Sequence, residues 1–230
     1  MNDWENLPAN RLLIDLSLWS ADLTSLGAEM QRMDALVDLY HFDVADAHFV
    51  PGLLFFPDLV AALRPLTARP FHVHLMVDQP QALVPAFLAA GADLVTVHIE
   101  NGRAALQALD LIRRAGRRAG IAVRLETNLE QAIPFLDTTD LILLMGTPLG
   151  IKGSGLAPEA LERIRTLRLM IAARAGVGGP KIFADGGIRE NTVPALRAAG
   201  ADGIVPGSLV FGSAHPAETI DWLHSLPKGK

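Results

Sequence analysis

Short apolar runs alternate with amphipathic stretches along most of the chain. The runs are typical of buried β-strands, and the stretches between them carry apolar residues at helical spacing. Eight strands are predicted, at Leu12–Ser17, Val37–Asp43, Phe71–Met76, Leu94–His98, Ile121–Leu125, Leu141–Met145, Lys181–Asp185 and Ala201–Val205. Helices are predicted at about 20–33, 58–64, 79–90, 104–115, 129–135, 158–173, 192–199 and 217–224. This alternation predicts parallel βαβ units, and eight of them fit a closed (β/α)8 barrel, the TIM barrel.

The chain is expected to form a single domain over residues 1–230. Its 230 residues, half of them hydrophobic, suffice for one large core, and no linker or shift in composition indicates a boundary. The sequence Ala-Ala-Gly-Ala-Asp joins a helix to a strand at 89–93 and again at 198–202. We interpret this echo as a shared turn between helix and strand rather than a repeat architecture.

Charge and composition narrow the classes of partner. The net charge is −5 and the basic residues are scattered, so the sequence carries no electrostatic footprint for nucleic acid or an anionic membrane. No apolar segment reaches the roughly 20 residues that span a bilayer, and the N-terminus lacks the pattern of a signal peptide. We therefore expect a cytoplasmic protein with a small-molecule partner.

Four polar side chains at predicted strand ends form a candidate metal site. His41 and Asp43 share one face of a strand, while His74 and Asp185 end two others. A barrel gathers the carboxyl ends of its strands at one mouth. The chain has no cysteine, so histidine and carboxylate are its only strong ligands, and this mixture suits zinc or another divalent first-row metal better than calcium.

Asp43 and Asp185 could also perform acid/base chemistry. Epimerisation beside a carbonyl needs a base on one face of the carbon and an acid on the other. Two carboxylates from opposite sides of the ring could flank a substrate that lies across the mouth, with a metal holding the enediolate between them. Which carboxylate is acid and which is base stays open at this point.

Two glycine-containing turns follow the last two predicted strands. Gly186-Gly187 and Gly207-Ser208 each precede a predicted helix start, in the loops where barrels commonly bind phosphate through backbone N–H groups. Glycines also serve ordinary turns, but their occurrence in consecutive loops favours a phosphate site.

The chain resembles the ribulose-phosphate 3-epimerase family over nearly its whole length. The resemblance rests on Ser17-Leu-Trp-Ser-Ala-Asp-Leu23, His41-x-Asp-Val-x-Asp-x-His-Phe-Val-Pro51, His74-Leu-Met76, Val97-His-Ile-Glu100, Asp185-Gly-Gly-Ile188 and Gly207-Ser-x-x-Phe-Gly212. It implies a (β/α)8 barrel with His41, Asp43, His74 and Asp185 as metal ligands and Asp43 and Asp185 as the proton-transferring pair. It further implies that Ser17, His74, Met76 and Met145 contact the substrate, that Gly186, Gly187, Gly207 and Ser208 bind phosphate, and that the protein is a homo-oligomer.

Several positions depart from the family pattern. Ala45 replaces the usual methionine between the second motif's carboxylates, and Ala47 replaces a glycine. The loops at 124–127 and 146–154 also differ, and Gly150 and Gly153 of the second loop are expected to lie at the substrate. The candidate metal ligands match the family pattern, whereas the loops that face the substrate differ from it. This combination indicates that the chemistry is retained and that the substrate is a different sugar phosphate.

Arg124 and Lys152 are hypothesised to add positive charge above the mouth and to contact a phosphate or acidic group. The alternative is that Arg124 pairs with Glu126 or Glu100 and that Lys152 is solvated. His72, one layer below His74, is interpreted as a hydrogen-bonded core histidine rather than a fifth ligand, and His48 as part of a packed loop.

The sequence therefore predicts a metal-dependent epimerase that inverts C3 of a phosphorylated ketose, with one divalent ion as cofactor. Zinc is preferred, with iron, manganese and cobalt open. The substrate is ribulose 5-phosphate, giving xylulose 5-phosphate, or a relative such as a ketohexose 6-phosphate. The alternatives are a barrel that binds a sugar phosphate without turnover and a metal-dependent hydrolase built on His72-x-His74.

Overall fold

The structure is a computed structural model that describes Trp4, residues 7–175 and residues 179–229. The strands in this part of the chain are β1 Leu13–Ser17, β2 Leu39–Asp46, β3 Leu53–Leu54, β4 Phe71–Met76, β5 Leu94–His98, β6 Arg118–Val123, β7 Leu141–Met145, β8 Lys181–Asp185 and β9 Gly203–Val205. The α-helices are α1 Leu26–Met33, α2 Pro57–Leu63, α3 Pro80–Ala89, α4 Arg103–Arg114, α5 Ala160–Ala175, α6 Val193–Ala199, α7 Ser208–Phe211 and α8 Pro216–Ser225. Within the described residues, none of these helices combines the length and apolarity needed to cross a bilayer.

Eight of the strands close into a parallel barrel, in the order β1, β2, β4, β5, β6, β7, β8, β9 and back to β1. The two-residue β3 lies outside the ring and pairs antiparallel with the end of β2. The predicted (β/α)8 barrel is thus confirmed.

The structure differs from the sequence prediction at several element ends. The helix predicted from residue 20 begins only at Leu26, because the Asp22 carboxylate accepts hydrogen bonds from the Thr24 backbone and hydroxyl and stabilises a turn instead. The segment Leu129–Phe135 is a 3-10 helix that contains Pro134. Strand β6 begins earlier than predicted and ends at Val123, so Arg124 lies beyond it.

The barrel interior changes character from bottom to top. Apolar side chains, including Leu39, Leu94 and Phe183, fill the end where the strands begin. Gly203 makes room there, since a Cβ on it would lie 2.5 Å from the Phe183 ring. Towards the carboxyl ends the interior is polar and buried: Asp15, Ser17, His41, Asp43, His72, His74, Thr96 and His98. Large apolar side chains of the same strands, such as Phe42, face outward into the layer beneath the helices.

Four aspartates repeat one structural device at the bottom of the barrel. Each stands just before a strand and accepts a hydrogen bond from a backbone N–H of the preceding barrel strand. The bonds run from Ile14 to Asp38 (2.9 Å), from Phe71 to Asp93 (3.0 Å), from Ala119 to Asp140 (2.9 Å) and from Ile182 to Asp202 (2.9 Å). An arginine pairs with every one of these carboxylates: Arg11, Arg64, Arg118 and Arg168 in turn. The echo at 89–93 and 198–202 therefore reflects two cases of a fourfold tie between neighbouring strands.

The turn after β2 contains a strained residue. Ala47 has a φ of 60°, in the left-handed region that costs a residue with a Cβ about 1 kcal/mol or more. The Asp46 carboxylate holds this turn by accepting hydrogen bonds from the backbone of His48, Phe49 and Asp78. The turn is thereby fixed to the loop after β4, beside the barrel mouth.

The variant Asp202→Asn tests the tie between β8 and β9. Burial acts to raise the pKa of Asp202, but Arg168 and hydrogen bonds from Lys228, Arg168 and the Ile182 backbone lower it below its usual value. The carboxylate therefore stabilises the fold above its unfolded-state pKa, and that stability is lost as the pH falls through the lower folded-state pKa. Near pH 7 the variant should lose about 2 kcal/mol in its free energy of unfolding by urea, and near pH 3 the loss should shrink. A loss that does not change with pH would contradict this account.

Candidate active site

The pairing register of the strands brings the four predicted metal ligands together. In the β2–β4 pair, His41 lies opposite His72 and Asp43 lies opposite His74. In the β7–β8 pair, Met145 lies opposite Asp185. Because the barrel closes, the carboxyl end of β8 faces those of β2 and β4 across the mouth.

The ligand atoms have the spacing of a divalent-metal site. His41 Nε2 and His74 Nδ1 lie 3.2 and 3.3 Å from Asp43 Oδ1, and 4.0 and 3.7 Å from Asp185 Oδ2. One atom from each of the four residues falls within 4.8 Å of all the others. Donors that share one tetrahedral zinc at about 2.0–2.2 Å lie roughly 3.3–3.6 Å apart. The four side chains therefore fit a divalent cation.

The electrostatics of the cluster also favour a cation. Burial acts to lower the pKa of His41, but the Asp43 and Asp15 carboxylates outweigh it and raise the pKa well above its usual value. Burial and the nearby His98 and His41 lower the pKa of His74 to about 3, although the Asp43 carboxylate acts to raise it. His74 is thus neutral near pH 7 and offers a lone pair. The negative charges of the carboxylates favour the binding of a cation between them.

The two carboxylates of the cluster differ in proton affinity. Burial and the neighbouring Asp43 charge raise the pKa of Asp185 to about 7. Burial acts in the same direction on Asp43, but His41 and His74 lower its pKa far below the usual value. The Ser17 hydroxyl donates to Asp43 Oδ2 at 2.8 Å. Sequence reasoning expected Ser17 to contact the substrate, and the structure places it on this carboxylate at the cavity wall.

Behind His41 lies a second layer of buried polar groups. Asp15 Oδ2 lies 2.9 Å from His41 Nδ1 and 2.5 Å from His72 Nδ1, and His72 Nε2 lies 2.7 Å from Thr96 Oγ1. Burial acts to raise the pKa of Asp15, yet His72 and His41 lower it to about 2, so this carboxylate is ionised. Sequence reasoning missed Asp15 because it interrupts an apolar run. The alternation of faces was the available signal, since Leu13, Asp15 and Ser17 share one face of β1.

A comparable chain stands behind His74. Its Nε2 lies 2.9 Å from His98 Nε2, and His98 Nδ1 lies 3.1 Å from Glu100 Oε2. Glu100 Oε1 accepts hydrogen bonds from the Arg124 backbone and the Thr127 hydroxyl. Burial acts to raise the pKa of Glu100, but His98 and these donors lower it to about 2. Each of the two candidate histidine ligands is therefore backed by a carboxylate, which is buried behind His41 and partly buried behind His74.

A cavity of about 270 Å³ opens above the cluster at the barrel mouth. This volume lies just below the range of about 300–1,000 Å³ that is typical of ligand pockets, and it suits one small metabolite. Twelve of the predicted site residues line it: Ser17, Asp43, Met76, Met145, Gly150, Lys152, Gly153, Asp185, Gly186, Gly187, Gly207 and Ser208. His41 and His74 are buried behind its wall, so Asp43 and Asp185 are the ligands that reach the cavity.

The glycine turns form one end of this cavity. Gly187 has a φ of 69° and packs so closely on Leu156 that a Cβ would lie 2.6 Å from the backbone there. A Cβ on Gly207 would collide with the Ser20 hydroxyl. Within the described residues, the backbone N–H groups of Gly187, Gly207 and Ser208 donate to no backbone carbonyl. These N–H groups are available to an anion.

The two hypothesised cations have different positions. Lys152 lines the cavity and donates through Nζ to the Trp19 carbonyl at 2.8 Å. Arg124 lies outside the cavity-lining set: its guanidinium stacks 4.0 Å above the Phe49 ring, and Nη2 donates to the Phe49 carbonyl at 3.1 Å. Its backbone N–H, rather than its side chain, bonds Glu100. The structure thus brings Lys152, but not the Arg124 side chain, to the mouth.

Trp19 and Arg189 are among the cavity-lining residues that were not predicted from the sequence. Trp19 lies at the wall beside Lys152, and Arg189 follows the Gly186-Gly187 turn. Arg189 Nη1 donates to the Ile188 carbonyl, and no carboxylate pairs with the guanidinium in the part of the chain described. An arginine two residues after a phosphate-type glycine turn was the signal available in the sequence.

Comparisons with known proteins agree with this geometry. A model of the ribulose-phosphate 3 epimerase family matches residues 13–211. The chain is 39% identical over 200 residues to ribulose-phosphate 3-epimerase 1 of Cupriavidus necator, covering 86% of this chain and 83% of that protein. It is 38% identical over 215 residues to the ribulose-phosphate 3-epimerase of Synechocystis sp., covering 92% of this chain and 93% of the relative.

Solved structures are similar in fold. The 3-keto-L-gulonate-6-phosphate decarboxylase from Vibrio cholerae superposes with a TM-score of 0.72 at 16% identity, covering 93% of this chain and 95% of that one. At this identity the likeness concerns the fold alone. Together with the curated relatives, fold and site define an isomerase that acts on carbohydrates. The chain belongs to the ribulose-phosphate 3-epimerase family.

Metal binding at the cluster is tested with the variant Asp185→Asn. Chelator-treated wild-type protein should bind one Zn²⁺ per chain and gain thermal stability, because the ion binds the folded state alone. The variant loses an anionic ligand, so its Zn²⁺ affinity, measured by competition with a chromophoric chelator, should fall at least about 100-fold. His48→Ala, an exposed histidine on the neighbouring turn, should bind Zn²⁺ as the wild type does. Equal affinities in all three proteins would refute the site.

Proposed function

We propose that the chain is a metal-dependent epimerase that inverts C3 of a phosphorylated ketose, interconverting ribulose 5-phosphate and xylulose 5-phosphate. One observation carries the proposal: two carboxylates, Asp43 and Asp185, belong to a four-ligand cluster and also face a small cavity whose other end offers free backbone N–H groups. The curated relatives are named ribulose-phosphate 3-epimerases, which supports the same substrate.

The phosphate of the substrate is assigned to the glycine end of the cavity. The N–H groups of Gly187, Gly207 and Ser208 donate to its oxygens, and the Arg189 guanidinium adds a positive charge beside them. Gly186, with a φ of 88°, shapes the same turn. The phosphate thereby anchors one end of the sugar, and the reacting carbon lies towards Asp43 and Asp185.

Proton transfer is assigned to the two carboxylates. One removes the C3 proton and leaves an enediolate, and the other, protonated beforehand, delivers a proton to the opposite face of C3. The two carboxyl groups exchange protonation states in a turnover, so the net proton balance is zero. A divalent cation held by His41, Asp43, His74 and Asp185, with zinc preferred over iron, manganese or cobalt, would supply positive charge beside the reacting oxygens.

Met76 and Met145 form the apolar part of the wall near the carboxylates. Both are buried, with 2% and 6% of their surface exposed. Their side chains exclude water from the reacting carbon, so that the carboxyl groups rather than solvent protonate the enediolate.

A larger ketose phosphate is the second candidate substrate. The loop that carries Gly150, Lys152 and Gly153 lines the cavity, and Lys152 is tied to Trp19 across the mouth. This aromatic and cationic edge offers contacts for an additional CHOH unit of the sugar chain, which favours testing ketohexose 6-phosphates alongside the pentuloses.

The proposed chemistry is tested by isotope exchange in D₂O. Wild-type protein should convert ribulose 5-phosphate to xylulose 5-phosphate with one deuterium at C3, and chelation should abolish the conversion. Asp43→Asn and Asp185→Asn should each lower kcat by about 10²–10⁴-fold, since each removes a proton-transferring group. His48→Ala should retain full activity. Absence of exchange with every pentulose and hexulose phosphate would leave a sugar-phosphate-binding barrel and refute the enzymatic proposal.

The variant Arg189→Ala tests the phosphate end of the cavity. Loss of the guanidinium should raise KM for the phosphorylated substrate about tenfold and leave kcat nearly unchanged, because the phosphate is held alike in ground and transition states. Inorganic phosphate should inhibit the variant correspondingly less. Arg165→Ala, on the exposed face of α5, is the matched control and should leave both constants unchanged. Identical kinetics in wild type and Arg189→Ala would remove Arg189 from the site.

A further inference from the structure

Asp15 is a buried charge that the proposed chemistry leaves unexplained. It has 0% of its surface exposed, does not line the cavity, and has only imidazoles as side-chain hydrogen-bond partners among the described residues. Burying a carboxylate costs several kcal/mol unless its partners compensate. Leu13, one layer below on the same face of β1, shows that an apolar side chain fits this interior. We therefore expect the buried negative charge of Asp15 to have a function.

Hydrogen bonding to Asp15 sets the tautomer of His41. A carboxylate only accepts, so His41 Nδ1 carries the hydrogen of the 2.9 Å contact. Its Nε2 is the atom that lies 3.2 Å from Asp43 Oδ1 within the ligand cluster, so this nitrogen would give up its proton and offer its lone pair when a cation binds there. The ring is thus oriented with Nε2 towards the metal site.

His72 and Thr96 hold Asp15 in place. His72 Nδ1 donates to the same Asp15 oxygen, and His72 Nε2 accepts from the Thr96 hydroxyl at 2.7 Å. Thr96 in turn fits against Gly120, where a Cβ would collide with the hydroxyl oxygen. The two ring nitrogens of His72 contact Asp15 and Thr96, neither of which belongs to the four-residue ligand cluster.

The unshared oxygen of Asp15 indicates that its charge matters. Oδ1 is buried and has no hydrogen-bond partner among the described residues. Both imidazoles need only one acceptor oxygen, so a neutral amide would satisfy the same geometry. What the carboxylate adds is negative charge, which strengthens the electron donation of the opposite ring nitrogen to a metal.

We infer that Asp15 is a positioning residue that orients His41 and raises its ligand strength, and that His72 and Thr96 fix Asp15. The inference rests on the proposed metal site but goes beyond it, because Asp15 contacts neither substrate nor ion. A triad of Asp15, His41 and His72 around a second ion is the competing arrangement. Their nearest atoms lie 2.5–3.2 Å apart, as in hydrogen bonds, and His72 is already shared with Thr96.

The test compares Asp15→Asn with Asp38→Asn by metal affinity. Asp15→Asn keeps the shape and one acceptor oxygen, and its Zn²⁺ affinity by chelator competition should fall about 10- to 100-fold. The visible absorption of the Co²⁺-loaded protein should shift as well. Asp38→Asn removes an equally buried carboxylate at the bottom of the same strands, so it should lower thermal stability and leave Zn²⁺ affinity unchanged.

A second pair of variants guards against misfolding. Thr96→Val removes the hydroxyl that fixes His72 and should weaken Zn²⁺ binding several-fold, whereas Thr96→Ser keeps the hydroxyl and should restore it. Wild-type affinity and an unchanged Co²⁺ spectrum in Asp15→Asn would overturn the inference, and two equivalents of bound Zn²⁺ would favour the competing triad. Zn²⁺ affinity is measured in the absence of sugar, so the two proposals can fail separately. If the wild type binds Zn²⁺ but epimerises no substrate, only the proposed function is refuted. If the wild type binds no metal, the proposed function and this inference are both overturned.

Discussion

The pairing register of β2 with β4 is the constraint on which the rest of the structure depends. It sets His41 opposite His72 and Asp43 opposite His74. Side chains alternate between the two faces of a strand, so a slip of one residue would turn the polar set outward and bring Phe42 and its neighbours into the barrel. The apolar layer beneath the helices excludes that arrangement, because it would bury unpaired carboxylates there. Hydrophobic packing outside the barrel therefore fixes the polar chemistry inside it.

Four acidic side chains are concentrated at the barrel mouth. Asp15, Asp43, Asp185 and Glu100 lie in or directly behind the ligand cluster, and the histidines between them provide the nearest compensation. Cationic side chains instead stand at the rim, where Lys152 and Arg189 line the cavity. Charge is thus sorted by depth: anions around the reacting centre and cations where a phosphate would enter. A ketose phosphate matches this gradient in orientation.

Sequence reasoning predicted the fold and the ligand cluster because each ligand is marked by a local pattern. Apolar runs define the strands, and His41, Asp43, His74 and Asp185 stand where runs end, so a closed barrel was expected to gather them. It could not recognise a polar group that stands inside an apolar run. In the sequence, Asp15 is simply a polar residue that interrupts an apolar strand. Its role becomes visible only when β1 pairs with β2.

Arg124 is a predicted site residue whose side chain does not line the cavity. Its position near a predicted strand end indicated the mouth, but β6 ends at Val123 and the chain turns at the Glu100 carboxylate. The side chain consequently stacks on Phe49. The strand ends one residue before Arg124, and this position of the strand end decided the direction of the long side chain. No pattern in a single sequence specifies a strand end to within one residue.

The four aspartates below the barrel group its strands into pairs: β1 with β2, β4 with β5, β6 with β7, and β8 with β9. Each pair is a contiguous piece of chain with its own carboxylate lock, so the ring consists of four similar modules. A circular permutation that opens the chain within α4 or within the 146–159 segment cuts between modules and breaks none of these locks. The four proposed metal ligands come from three different modules, so the fold is modular, whereas the proposed metal site needs several modules at once.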